Sequence, residues 1–327
     1  MFGRLKGVPF GGAYYRKVTS EPSTEYSGIR GEGFLPILLF DKSPSRYFIH
    51  KESWDHFKTG PMDRPSVYFG GHAGGKELDA GLSWDRVWKA KDVATYTDQP
   101  EWCHRGKPNH LFTLAPGGKV IDGTDEVVAE GLSEEEFREK FRPNFAFRPF
   151  WRTTNTGDKN GGWHNPKPGA PDNTYFYPGE RIVMNLRAVA LESIRLDIRA
   201  VDEPEREFHV TFQQTGFGPG RTQSFKRVNA LDQFIVAADG NRKGNEMNRV
   251  VPTKTRALAG SWLKVELLGK DFNPIQPLVG ESALQIVGHD LFQFFADVFQ
   301  LSEQNDEGGE VLDIDPTAMN PQGTVSA

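Results

Sequence analysis

Two runs of strict alternation stand out along the chain. Ile182, Met184, Leu186 and Ala188 alternate with Arg181, Val183, Asn185 and Arg187, and Ile194, Leu196 and Ile198 are interleaved with Arg195, Asp197 and Arg199. Period two puts one set of side chains in a core and the other in water, so both segments are predicted to be half-buried antiparallel strands. The link from Val189 to Ser193 is short enough for a hairpin-type connection. Further strands are predicted at Ser66–Gly70, Glu77–Asp85, Leu111–Leu114, Phe145–Thr153, Glu207–Phe212, Gln223–Phe234, Ser261–Leu268 and Val311–Ile314. The apolar run Phe34–Phe40, interrupted by Pro36, reads as a buried strand, far too short to span a bilayer.

Helical patterning is sparse. Ser133 followed by Glu136 has the capping-box form, with Phe137 and Phe141 one turn apart, which predicts a helix of roughly two turns. Leu291, Phe294, Phe295, Val298 and Phe299 fit a helical template but serve equally as an aromatic core strand, so 291–301 stays open between the two. The glycines and prolines gather at Gly70–Gly81, Asn155–Pro178 and Gly216–Gly220, between strands. The expected fold is all-β: a two-sheet antiparallel β-sandwich with long loops and one or two short helices. No polar linker separates two complete hydrophobic patterns, so 1–302 reads as a single large domain. Residues 303–327 read as an acidic, then small and polar tail, with one last strand at 310–315.

Composition sharpens this reading. The 327 residues include 35 Gly and 22 Pro without a collagen period, and 12% aromatic residues argue against disorder. Lys+Arg 39 against Asp+Glu 44 gives a net charge of −5, with no basic block, so nucleic acid is not an expected partner. Cys103 is the one cysteine, which removes an intramolecular disulfide and a thiolate zinc site and suits a reducing compartment. Met1 to Tyr15 has no basic segment followed by an apolar one, favouring the cytoplasm for an untrimmed chain. No membrane association is expected.

Chemical motifs are mostly missing. The eight histidines show no chelating pair, so no metal is expected, although the loops at Asp122–Asp125 and Asp158–Asp172 offer oxygen ligands of the kind calcium takes. No phosphate-binding loop or serine elbow occurs, so no cofactor is expected, and Gly70–Gly75 reads as a tight connection between two strands. Asp313 and Asp315 share a strand face roughly 7 Å apart, a spacing for glycosidic chemistry or simply a solvated edge.

The richest stretch runs from Val67 to Asp85. Period two sends Asp79, Gly81, Ser83 and Asp85 to one face and Leu78, Ala80, Leu82 and Trp84 to the other. Such a polar face suits either ligand binding, with Gly81 allowing close approach to the backbone, or plain solvation. In Phe145–Arg152 the same alternation pairs Arg148 with Arg152, a possible fork for carboxylates, and the loop Trp163-His164-Asn165 follows with a stacking platform. Lys226 and Arg227 fall on opposite faces of their strand, and Arg227 joins the candidate binding set.

The order of these features resembles the concanavalin-type β-sandwich superfamily, and most nearly the glutamic, eqolisin-type peptidases within it. The resemblance rests on Tyr68-Phe69-Gly70-Gly71, Asp79-Ala80-Gly81-Leu82, Tyr175-Phe176-Tyr177-Pro178, Gly179-Glu180-Arg181-Ile182 and Phe225–Phe234, in that order over about half of the chain. It implies a concanavalin-like jelly roll. Asp79 stands where that family carries its catalytic Gln, and Phe225–Phe234 has Asp232 and Gln233 but no Glu. The catalytic candidates are therefore Asp79, Asp232 and Gln233, as an acid with an amide or a second acid. Asp85, Arg148, Arg152, Trp163, His164 and Arg227 are the substrate-binding candidates. The leading expectation is a carbohydrate-binding or carbohydrate-processing face. The alternatives are an acid peptidase-like hydrolase and a non-catalytic interaction module. The expected partner is a glycan or a polypeptide.

Overall fold

The structure is a computed structural model describing residues 13–39, 63–86, 113–121, 127–133, 136, 145–154, 162–166, 172–233, 255–279, 281–286 and 298–316. In chain order the strands are β1 Ala13–Thr19, β2 Gly28–Phe34, β3 Ile37–Leu39, β4 Asp63–Ala73, β5 Lys76–Arg86, β6 Thr113–Ala115, β7 Lys119–Ile121, β8 Val127–Ala129, β9 Phe145–Thr153 and β10 Gly162–His164. They continue as β11 Arg181–Ala190, β12 Ser193–Ala200, β13 Glu207–Gln213, β14 Gln223–Gln233, β15 Arg256–Leu268, β16 Pro274–Pro277, β17 Glu281–Ile286, β18 Phe299–Leu301 and β19 Gly308–Ile314.

Two large sheets make a β-sandwich. One is seven-stranded, in the order β10-β9-β5-β4-β14-β1-β17, and the other is nine-stranded, β13-β12-β11-β2-β15-β19-β18, with β16 and β3 also on β15. The pairings within both are antiparallel, and a small sheet β6-β7-β8 stands apart. β4 and β14 lie next to each other but far apart in sequence, so the middle of the seven-stranded sheet is built from non-local pairings.

The alternation explains the layers. On β11 and β12, Ile182, Met184, Leu186, Ala188, Ile194, Leu196 and Ile198 are all buried, while their charged neighbours face out. From the facing sheet come Val67, Phe69, Leu78, Ala80, Leu82, Trp84, Phe147, Phe225 and Leu231, and Phe69 stacks on Trp262 of β15 at 4.9 Å. Gly74 and Gly75 take positive φ in the two-residue turn joining β4 to β5, as the tight connection requires. The predicted link between β11 and β12 is a turn at Leu191 and Glu192, with Glu192 at φ 56.

Other expectations are met in part. The run Phe34–Phe40 breaks at Leu35-Pro36, and Ile37–Leu39 turns to pair with β15. The capping box forms: Ser133 N donates to Glu136 Oε2 at 2.9 Å and Glu136 N donates to Ser133 Oγ at 3.2 Å. Phe137 and Phe141 lie outside the described residues, as do Leu291 to Phe295, Cys103, Asp122–Asp125 and the tail beyond residue 316. Phe299 to Leu301 is strand, paired with β19.

Candidate ligand-binding face

The outward-facing side of the seven-stranded sheet carries a row of ionic side chains. Register places Arg152 of β9 opposite Asp79 of β5, Asp79 opposite Gly70 of β4, Gly70 opposite Lys226 of β14, and Lys226 opposite Thr19 of β1. Asp79 and Lys226 sit two strand spacings apart, roughly 9.5 Å of backbone. The lysine crosses that gap over Gly70, and its Nζ lies 2.8 Å from Asp79 Oδ1 and 2.6 Å from Glu77 Oε1. A Cβ on Gly70 would lie 2.6 Å from both Asp79 Oδ1 and Lys226 Cε. The missing side chain is thus what lets the two ions meet. Arg152 Nη1 stands 3.4 Å from Asp79 Oδ2, so both oxygens of Asp79 are engaged.

Around this row the face opens toward one end. Ser66, Ser83, Val228 and Ala230 are buried, whereas the His72 side chain is half exposed and its Nε2 lies 3.8 Å from Glu77 Oε1. Lys17 follows Arg16 on β1 and so has outward parity, half-buried one row from Lys226. Among the described residues it has no ion-pair partner. Tyr68 meets Phe150 edge-on at 5.6 Å on the same face.

Electrostatics follow from this crowding. Burial alone would push the Lys226 ammonium down, but the Asp79 and Glu77 carboxylates beside it hold it above the usual lysine value. Burial would raise Glu77, and Lys226 overcomes this to hold it below the usual glutamate value. Lys17 and His72 are both lowered, first by burial and then by the Lys226 charge. Lowered, His72 is neutral at pH 7.

The predicted site residues separate into groups. Asp79 and Arg152 come together. Asp232 does not join them: it pairs with Arg64 of β4, six residues along β14 from Lys226 and roughly 20 Å away at a rise of about 3.4 Å per residue. Gln233 is one residue further, with the opposite parity. The expected dyad of Asp79 with Asp232 or Gln233 is therefore not assembled, because the register sets Lys226 across from Asp79. Asp85 pairs with Ala146 at the far end of β5. Arg148 is buried and gives Nη2 to the Pro166 carbonyl at 2.6 Å, so it does not form a fork with Arg152. Trp163 takes the register position opposite Arg152, and exposed His164 stacks on Trp151 at 5.7 Å.

Arg227 is fully buried between the sheets, bonded to Glu310 of β19 at 2.7 Å, and so it is not on the outward face with Asp79 and Arg152. Phe225, Arg227 and Leu231 share a parity, and the two apolar members mark that parity as inward. The same rule sends Lys226 outward. Gly81 is also reassigned: a Cβ there would lie 2.5 Å from Tyr68 Cα, so the glycine serves close packing of β4 and not a ligand. Asp313 accepts from Ala259 N at 2.5 Å and Asp315 lies 3.9 Å from Arg256, each held by its own partner. No group of three metal-ligating side chains occurs among the described residues.

A further ionic cluster precedes β11. Glu180 accepts from Tyr177 N at 3.0 Å and faces Arg206 at 3.5 Å, with the Arg206 guanidinium 4.8 Å above the Tyr177 ring. Burial raises Glu180 to about 7, against the pull of Arg206, and Glu203 and Asp202 add to the rise. An acid whose folded value exceeds its unfolded value supports the fold fully below the unfolded value and loses that support as pH rises toward the folded one. Stability should therefore fall between about pH 4.5 and about 7 on account of this group. Glu180→Gln keeps an acceptor for Tyr177 and should raise the urea midpoint at pH 8 while leaving it nearly unchanged at pH 4. An equal effect at both pH values would contradict this.

No protein-family model matches the chain, and no curated protein matches it in sequence. Solved structures similar to it include two of scytalido-glutamic peptidase with transition-state analogues. The first has TM-score 0.41 and 8% identity, and the second TM-score 0.39 and 8% identity, each covering 93% of this chain and 98% of the other. A third is SCP-B, a member of the eqolisin family of peptidases, in complex with a tripeptide, with TM-score 0.39, 8% identity, and 92% and 97% of the two chains covered. These structures come from the family that the order of sequence features resembles.

Proposed function

We propose that the outward side of the seven-stranded sheet binds an acidic polymer, an anionic polysaccharide being the class whose chemistry it fits. The observation that carries the reading is Lys17, a half-buried cation with no ion-pair partner among the described residues, beside the Arg152–Asp79–Lys226 row. Among the described residues three cations, Lys17, Arg152 and Lys226, face two carboxylates there, and His72 is neutral at pH 7, so this part of the face is locally positive in a chain of net charge −5. Tyr68, half-buried and backed edge-on by the buried Phe150, supplies apolar surface next to the charges, as sugar rings require. Lys17→Met should weaken binding to oligouronides about tenfold or more, the worth of one charge-assisted contact. Lys264→Met, on the other sheet, should change nothing. An array of acidic glycans without binding, or equal affinity for wild type and Lys17→Met, would overturn the proposal.

A second reading, an acid peptidase-like hydrolase, is favoured by one feature. Glu77 and Asp79 converge on a single ammonium at the centre of the face, and Glu77 stays partly exposed. Cleavage of an unfolded protein substrate at acid pH, lost in Asp79→Asn and Glu77→Gln, would support it. No cleavage by the wild type would remove it.

A further inference from the structure

The interior of the sandwich holds an ion cluster that the outer face does not use. Arg16 of β1 lays Nε and Nη2 on Glu310 at 2.8 and 2.7 Å, and Arg227 of β14 gives Nη1 to the same carboxylate at 2.7 Å. The three side chains are 7%, 1% and 0% exposed for Arg16, Glu310 and Arg227. Two guanidinium groups thus share one carboxylate, leaving a positive charge inside the protein. Burial pushes Arg227 down from its usual value, with Glu310 opposing and Arg16 adding to the fall.

Nε and Nη2 of Arg227 are buried and have no hydrogen-bond partner among the described residues. Those two N–H groups lie along one edge of the planar guanidinium and point the same way, so they form a fork for an acceptor. Arg16 turns the same edge onto Glu310. A buried charged donor pair without an acceptor is costly, and an uncompensated buried charge adds to that cost. One ligand class answers both: an acceptor that also carries a negative charge. The complete burial of Arg227 limits it to a few atoms.

We propose that the Arg227 fork, beside the Arg16–Glu310 pair, is an internal binding site for a small monoanion such as chloride. A water molecule would satisfy the fork without balancing the charge, which separates the two by experiment. Thermal midpoints should be measured at equal ionic strength in sodium chloride, sodium bromide and sodium gluconate, the last anion being too bulky for the interior. Wild type should melt about 2 °C higher in the halides at a tenfold excess over the dissociation constant. Arg227→Met keeps the bidentate Arg16–Glu310 pair, removes the excess charge, and should lose the difference between salts. Should that variant fail to fold, anomalous scattering from wild-type crystals grown in bromide still decides, with a peak expected beside Arg227 Nε and Nη2. A water there without anomalous signal, or equal midpoints in halide and gluconate, overturns the proposal.

Discussion

Glu310→Gln should destabilise the protein by about 3–5 kcal/mol in urea denaturation near neutral pH, the cost of stripping one partner from a buried ion cluster. Glutamine fills the same space and still offers an oxygen, but it takes from Arg16 and Arg227 the carboxylate charge they share. The companion variant separates pairing from packing: Arg16→Met, Arg227→Met and Glu310→Leu together should recover most of the loss, because apolar groups of similar volume need no compensation. The carboxylate also sets an acid limit. Burial would raise Glu310, but Arg16 and Arg227 hold it below the usual glutamate value. Its support is therefore complete above the unfolded value and is lost as pH falls through the folded one. A Glu310→Gln loss under about 1 kcal/mol would mean that the two arginines find other acceptors in the folded state.

Gly70→Ala is the second large effect, and it should remove ligand binding and stability together. Its methyl group would stand 2.4 Å from the Leu78 carbonyl oxygen, a backbone atom that moves only with β5, and would press between Asp79 and Lys226. A loss at or above the upper end of the about 1–3 kcal/mol typical of overpacking is expected. Lys226→Met tests the ionic part alone, since it leaves Asp79 and Glu77 without their shared ammonium but adds no bulk. If Gly70→Ala binds and melts like wild type, Lys226 does not reach Asp79 across β4.

How much of this was legible in the sequence depends on the parity of single residues. The strands β11 and β12 could be read because their apolar positions alternate with mostly charged or polar ones, which fixes the face each one buries. Arg152 and Asp79 could be named from the alternation on their own strands, and they do meet. The inward place of Arg227 is legible in its parity with Phe225 and Leu231, although its charge alone suggests an outward binding role. Lys17 and Lys226 carried no motif. Their significance arises only when β1, β14, β4 and β5 lie side by side, and β4–β14 pairing spans more than 140 residues of chain. Glu310 was hidden for the same reason, since its partners Arg16 and Arg227 lie 294 and 83 residues away. The Asp79–Asp232 expectation failed on register, because a strand run identifies a face but not which residue of the neighbouring strand stands opposite.

On the proposed function, ligand engages the outward side of the seven-stranded sheet through the Arg152–Asp79–Lys226 row and Lys17. Hydrogen–deuterium exchange with and without a saturating oligouronide tests it most directly. Added protection should appear in the outer-face strands β1, β4, β5, β9 and β14, centred on Lys17, Gly70, Asp79, Arg152 and Lys226, with β11, β12 and β13 unchanged. Protection confined to the charged outer side of β11–β13, or none on the seven-stranded sheet, would contradict the account.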